Sequence, residues 1–466
     1  MQIFQFPGEE IFMKKLHFIG IGGIGMSALA AGALDCGYQV SGSDRGADKP
    51  ENARIINALK NRGIKIYPQD GSRFSEAELP DQIVYSSAIE EDNPDFAAAK
   101  NIPRIHRSGL LKQLLEDFQK ISIAVTGSCG KSTVTGYIAE TLERLNSDPV
   151  MISGALSKRF QTPLNAGNYR SGKGKYLVFE ADESDKSLLN YGADYAVILN
   201  IGTDHYSKAE LVEVFSTFLR HIRCGAVLSQ EVFEAVKENL PENLQIEVIS
   251  EADFTYVPGG KNPPHAILSD GESMVLPAPG KHMAFNALCI KKLMDMLKFE
   301  PEAVLENLSR FDGLWRRNDF AGRTSTGTMV FDDYAHNPEK IISCLSGMRE
   351  RCDGKLFAVF QPHGYKPFGF MEEELFHLLE NFLAPDDRFI LLEPFYAGGT
   401  SSFSPHSDDV CRKWQTLSGK KDCYVFCKDR EAVRDFILRN SGKNDLAVIM
   451  GARDNSLSDF AASFAL

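Results

Sequence analysis

The sequence predicts an α/β protein built from three domains, on three observations. A chain of 466 residues is too long for one ordinary core and corresponds to roughly three domains of usual size. Short apolar runs alternate with stretches of helix formers along almost the whole chain. Two of those runs break directly into glycine loops that lead into helix formers, at Gly20–Gly25 and at Gly127–Gly130, which is the order of a βα unit in a parallel sheet. The boundaries this predicts are 13–117, 118–314 and 315–466.

The first domain opens on the apolar run Lys14 to Ile19, which breaks into Gly20-Ile21-Gly22-Gly23-Ile24-Gly25-Met26-Ser27, with helix formers to Leu34. A strand at Tyr38 to Ser41 ends in Gly42-Ser43-Asp44, about twenty residues after the loop. Strand, glycine loop, helix, strand and acid form a dinucleotide-fold signature and predict a Rossmann-like domain. Further strands follow at 64–67 and 82–85, the latter closing on Ser86-Ser87-Ala88, then a helix near 94–100 and a strand at 104–107. Residues 1–12 read as an extension ahead of the first strand, with Met13 a plausible functional start.

The second domain begins with the strand Ile121 to Val125, which runs into Thr126-Gly127-Ser128-Cys129-Gly130-Lys131-Ser132-Thr133 and a helix from about Ser132 to Leu145. Amides at Gly127 and Gly130 can crowd a polyphosphate, Lys131 supplies a point charge, and the Ser132 hydroxyl can reach Mg²⁺. The spacing departs from the strict P-loop, because Val125 stands where that pattern has its first glycine. Two later strands also end in chemistry. Tyr176 to Phe179 runs into Glu180-Ala181-Asp182-Glu183-Ser184-Asp185, and Tyr195 to Asn200 runs into Ile201-Gly202-Thr203-Asp204-His205. In open parallel sheets, ligands gather beyond the carboxyl ends of strands, so carboxylates there suit a hard cation beside the phosphate loop. Residues 226–280 predict a small flanking sheet, and the helix after Gly280-Lys281-His282 closes the domain.

Near 312, Asp-Gly-Leu-Trp-Arg-Arg-Asn-Asp reads as a hinge into a third α/β domain with strands at 328–331, 356–360, 388–392, 423–426 and 446–450. Arg316-Arg317 and Asp333-Tyr334-Ala335-His336-Asn337-Pro338 together suggest a domain that closes over nucleotide: an arginine can stabilise phosphoryl charge, and Asp333 can accept ribose hydroxyls.

Composition excludes several classes. A net charge of −12 lacks the basic excess of a nucleic-acid binder and gives no reason to sit on an anionic membrane. The nine cysteines form no C-x-x-C pair, so neither a zinc site nor a disulfide framework is expected. No apolar run reaches about 18 residues and no secretory signal is visible. A cytoplasmic protein, monomer or homodimer, with neither nucleic acid nor membrane as partner, is expected.

With these motifs in this order, the chain resembles the Mur ligase family, ATP-dependent enzymes that add amino acids to a UDP-linked muramyl precursor of peptidoglycan. The match spans nearly the full length. Within the family, His17 to Met26, Ser41 to Asp44, Ser86 to Ile89 with Asn93-Pro94, and Phe360-Gln-Pro-His363 look most like the branch that joins UDP-N-acetylmuramate to L-alanine. The resemblance implies an N-terminal Rossmann-like domain for UDP-sugar, a central P-loop-type ATPase with a mostly parallel sheet, and a C-terminal Rossmann-like domain. It implies ATP with Mg²⁺ or Mn²⁺, and an acyl-phosphate route to an amide. Residue by residue, it implies ATP held by Thr126, Gly127, Ser128, Gly130, Lys131, Ser132 and Thr133, with Asn286 on adenine, Arg317 on the phosphates and Asp333 on ribose. Ser132 and Glu180 would ligate one metal ion and His205 a second. Lys131, Glu180, His205 and Arg317 would be the catalytic set. The UDP-sugar would lie on Gly22, Gly23, Ile24, Gly25 and Met26, with Asp44, Ser86 and Arg107 around it, and the amine or acyl phosphate near His336 and His363.

Departures from that pattern concentrate where the amine is selected. Cys129 stands in place of His or Asn, Met283 in place of Asn, and Asn337 in place of a second His. His363 is followed by Gly-Tyr-Lys-Pro in place of an arginine-rich run, and the last strand ends Gly451-Ala-Arg-Asp454. A recycling ligase that attaches a murein tripeptide or another amine therefore stays open, as does a catalytically silent nucleotide-binding paralogue.

Overall fold

The computed structural model describes residues 13–182, 187–202, 207–259, 262–396 and 403–465. The chain divides into two compact units, 1–248 and 249–466.

The first unit opens with a five-stranded, fully parallel sheet of β1 (Lys15–Ile19), β2 (Gln39–Ser43), β3 (Lys65–Tyr67), β4 (Gln82–Tyr85) and β5 (Arg104–His106), in the order β3-β2-β1-β4-β5. The order reverses at β1, so the loop after β1 opens at a topological switch point. Its helix, Ile24–Asp35, is buried along Met26–Ala33, and at Gly32 a Cβ would stand 3.4 Å from the Tyr169 ring and 3.6 Å from Leu114 Cδ1. A second sheet follows, of β6 (Ile121–Thr126), β7 (Val150–Ile152), β8 (Tyr169–Arg170), β9 (Tyr176–Glu180), β10 (Ala193–Ile198), β11 (Ile222–Ser229) and β12 (Gln245–Ile249), in the order β12-β11-β10-β6-β9-β7-β8. The strands β11, β10, β6, β9 and β7 run parallel, and β8 is antiparallel to β7. β6 is central and buried at every residue after its first, as a strand covered on both faces must be.

The expectation for 226–280 is met only in part. β13 (Phe254–Val257), β14 (His265–Leu268) and β15 (Ser273–Val275) form a separate three-stranded antiparallel sheet, whereas β11 and β12 extend the large one. Alternating burial along β14 marks a one-faced sheet, while the buried run Gly225–Ser229 suits a parallel strand.

In the second unit, helix Lys281–Met296 and helix Pro301–Leu308 precede a six-stranded sheet. Its strands are β16 (Asp319–Arg323), β17 (Met329–Asp333), β18 (Leu356–Phe360), β19 (Arg388–Leu391), β20 (Tyr424–Phe426) and β21 (Leu446–Met450), in the order β16-β17-β21-β18-β19-β20. Only β16 is antiparallel to its neighbour. The inner strands β21 and β18 are completely buried, and helices cover both faces with apolar clusters around Trp414 and around Phe357. Among the described residues no helix is long and apolar enough to cross a membrane.

Candidate functional site

The Gly127–Ser132 loop joins the carboxyl end of β6 to helix Lys131–Arg144. Gly127 has φ +127° and Gly130 φ +89°, conformations that L side chains rarely adopt. A Cβ at Gly127 would stand 3.1 Å from the backbone nitrogens of Leu199 and Asn200, so the loop lies directly on the end of β10. Side chains fasten it there. The Cys129 amide donates to Asn200 Oδ1 at 2.8 Å, Asn200 Nδ2 donates to the Cys129 carbonyl at 3.0 Å, and Gly202 N donates to Ser128 Oγ at 2.6 Å. The helix N-terminus carries no side-chain cap and no acid in its first turn, which leaves its amides to an anion. Lys131 Nζ donates to the Gly127 carbonyl at 2.7 Å, across the mouth of the loop. Ser128 and Ser132 are buried, Thr133 is half-buried, and the buried Thr126 Oγ1 has no hydrogen-bond partner among the described residues.

Glu180 ends β9 in register with Val125 of β6, one strand from the loop, and its Oε2 accepts the Gly154 amide at 2.9 Å. Asp182 pairs with Arg107 at 3.0 Å. Arg107 is the first residue of helix Arg107–Phe118, so this ion pair connects the end of the first sheet to the acidic segment of the second. Glu183, Asp185, Thr203, Asp204 and His205 lie outside the described residues.

Around the first glycine loop, helix Ile24–Asp35 starts at Gly23 with neither a side-chain cap nor a first-turn acid, so the amides of Ile24, Gly25 and Met26 form another anion-ready terminus. Asp44 accepts the Gly22 amide at Oδ2 and the Gly46 amide at Oδ1, both at 2.8 Å, and so shapes the loop itself. Ser86 is half-buried directly after β4. The sequence gives no signal for Asn168, whose Nδ2 donates to the Ile24 carbonyl at 2.6 Å and to Ser27 Oγ at 2.7 Å, bracing this helix start from the neighbouring sheet.

In the second unit, Asn286 is buried one turn after His282 on helix Lys281–Met296. His282 itself is exposed on the first turn of that helix. The two hinge arginines separate. Arg316 has φ +57° and is buried, its guanidinium donating to Asp332 Oδ1 at 3.2 Å, the Asp454 carbonyl at 3.0 Å and the Gly451 carbonyl at 2.7 Å. Arg317 is half-buried over the Tyr334 ring, 5.3 Å from its centroid. Asp333 accepts the Asn318 amide at 2.7 Å and the Ala335 amide at 2.8 Å; burial raises its pKa, and Arg317 opposes that.

His336 and His363 come together, ring centroids 5.2 Å apart and planes at 82°. His336 Nδ1 donates to the Tyr334 carbonyl at 2.9 Å, which leaves Nε2 as an acceptor. Burial pushes both imidazoles down to about 4, so both are uncharged at neutral pH.

Three Mur ligase models match the chain: "Mur ligase family, catalytic domain" over residues 15–119, "Mur ligase middle domain" over 125–215, and "Mur ligase, glutamate ligase domain" over 316–453. The UDP-N-acetylmuramate–L-alanine ligase of Sinorhizobium fredii is 31% identical over 96% of each chain. A crystal structure of the UDP-N-acetylmuramate-alanine ligase of Thermotoga maritima superposes with a TM-score of 0.78 at 25% identity, covering 96% of this chain and 98% of that one. A murein peptide ligase of Psychrobacter arcticus shares the fold, with a TM-score of 0.66 at 18% identity over 97% of this chain and 98% of that one.

Proposed function

Because the chain belongs to the Mur ligase family, we propose that it is an ATP-dependent ligase of peptidoglycan precursor synthesis that joins the carboxylate of UDP-N-acetylmuramate to the amino group of L-alanine. The observation that carries this reading is similarity to ligases of that name over nearly the whole length, in sequence and in fold.

The chemistry has two stages. A carboxylate oxygen attacks the γ-phosphorus of ATP and the bond to the β,γ-bridging oxygen breaks, giving ADP and an acyl phosphate. The amine nitrogen then attacks the acyl carbon; the tetrahedral intermediate loses inorganic phosphate and a proton and leaves the amide. Phosphoryl transfer of this kind asks mainly for positioning and charge neutralisation. The loop fastened by Asn200 and Gly202 supplies oriented amides, and Lys131 exchanges the Gly127 carbonyl for phosphate oxygen. Arg317, over the Tyr334 ring, and Asp333, at the end of β17, suit phosphate and ribose respectively. An uncharged His336 accepts a hydrogen bond from an amine N–H at Nε2 without adding positive charge. Glu180, Ser132 and the unpartnered Thr126 hydroxyl form a hard-oxygen set that fits Mg²⁺ or Mn²⁺. When bound, such an ion neutralises phosphate charge.

The Gly23–Met26 helix start supports the UDP-sugar diphosphate, with Ser86 and Arg107 beside the same sheet end. Mass spectrometry of products from ATP, UDP-N-acetylmuramate and either L-alanine, other amino acids or murein tripeptide tests the reading. An amide with L-alanine supports it, and an amide formed only with another amine rejects this choice of substrate.

A further inference from the structure

Three adjacent parallel strands of the six-stranded sheet end in register. Asp333 of β17 and Phe360 of β18 both face Met450 of β21, which lies between them. Three residues beyond each of these ends stand His336, Arg453 and His363. Two inter-strand spacings separate β17 from β18 by roughly 9–10 Å, yet their imidazoles meet at 5.2 Å, so the two loops converge over the end of β21. The residue that β21 offers there is Arg453.

Arg453 is exposed, carries φ +65°, and forms no hydrogen bond or ion pair among the described residues. A long side chain in the left-handed region persists only where its surroundings impose it. Here they do. Buried Arg316 grips the carbonyls of Gly451 and Asp454 on either side, and Arg430 pairs with Asp454 Oδ2 at 2.5 Å. The Gly451 backbone is pressed so close to Gln361 that a Cβ would stand 2.8 Å from the Gln361 carbonyl. Beyond the end of β18, beside this fixed turn, His363 Nδ1 is buried and has no hydrogen-bond partner among the described residues. The Lys340 charge acts on both imidazoles and opposes their protonation.

We propose that Arg453, offered by the end of β21 between the two histidine loops, receives the carboxylate of the incoming amino acid. The proposal rests on the ligase reading above and adds the group that selects this substrate. A guanidinium presents paired donors that match a carboxylate, and the two uncharged imidazoles beside it can accept from the ammonium end without repelling it.

The test uses Arg453→Gly, because glycine adopts φ +65° without strain and the substitution cannot unfold the loop on that account. The variant keeps or exceeds the wild-type Tm, and its KM for L-alanine rises about 10- to 100-fold with KM for ATP and UDP-N-acetylmuramate unchanged. L-alaninamide is a poor substrate for the wild type and no poorer for the variant. An unchanged KM for L-alanine overturns the proposal. So does an equal fall in kcat with L-alanine and L-alaninamide, which would place Arg453 on the acyl phosphate. Absence of product with every amine overturns the ligase reading itself, and is distinguished from those results by wild-type inactivity.

Discussion

Asn200 holds Cys129 at both ends of its backbone, accepting the Cys129 amide at Oδ1 and donating to the Cys129 carbonyl from Nδ2. The phosphate loop is thereby fixed through main-chain groups. Replacing Asn200 with Ala strips both partners and costs about 1–3 kcal/mol, and it raises KM for ATP. Cys129→Ser, which keeps both bonds, leaves KM for ATP within about threefold of wild type. Steady-state ATP kinetics check the pair, and the reverse ranking would show that the Cys129 side chain carries the role.

Gly127→Ala places a Cβ 3.1 Å from the backbone nitrogens of Leu199 and Asn200, just beyond β10, at φ +127°. The loop must lift from Leu199 and Asn200, and nucleotide binding is lost while the sheet beneath stays folded. Calorimetric titration with ADP, beside a thermal melt, reads both effects.

Lys131 bridges the loop through the Gly127 carbonyl. Lys131→Ala lowers kcat by about 10²- to 10³-fold with little change in Tm. A loss of only a few-fold would remove Lys131 from the phosphoryl step.

Removing Arg316 leaves Asp332 buried beside no cation. Burial already raises that carboxyl to about 6 in spite of Arg316. Arg316→Met therefore destabilises by about 3–5 kcal/mol in urea unfolding, and adding Asp332→Asn recovers part of the loss. No recovery would assign the whole effect to the Gly451 and Asp454 carbonyls.

His336 makes stability depend on pH with a defined sign. Its folded pKa of about 4 lies below the ordinary 6.5, so between those values the folded state holds fewer protons than the unfolded one. Stability is retained above pH 6.5 and falls as pH drops toward 4, with Lys340, His363 and Arg317 facing the ring and opposing its protonation. His336→Gln removes this term, so its stability deficit relative to wild type narrows by about 2 kcal/mol between pH 7.5 and pH 5.

Much of the fold was legible because strand and helix periods alternate cleanly and glycine loops mark two of the βα turns. β7, β8 and β16 were not, since strands of two to five residues are too short to show a period of their own. The site was legible as residue types at strand ends. What each atom touches was not. Asp44 reads as an acid around the UDP-sugar, and only the structure shows it accepting the amides of its own loop; Arg316 and Arg317 look alike until a turn at φ +57° buries one and leaves the other half-exposed. Asn168 sits 144 residues from the Ile24 carbonyl it braces, a separation that local pattern cannot register. Arg453 is visible only through strand register.

The most direct test is ATP turnover by the purified protein with UDP-N-acetylmuramate and L-alanine, each omitted in turn. The account predicts one ADP, one phosphate and one amide per turnover, with ADP release requiring both co-substrates. ATP hydrolysis indifferent to the UDP-sugar, or no turnover with any amine, would contradict it.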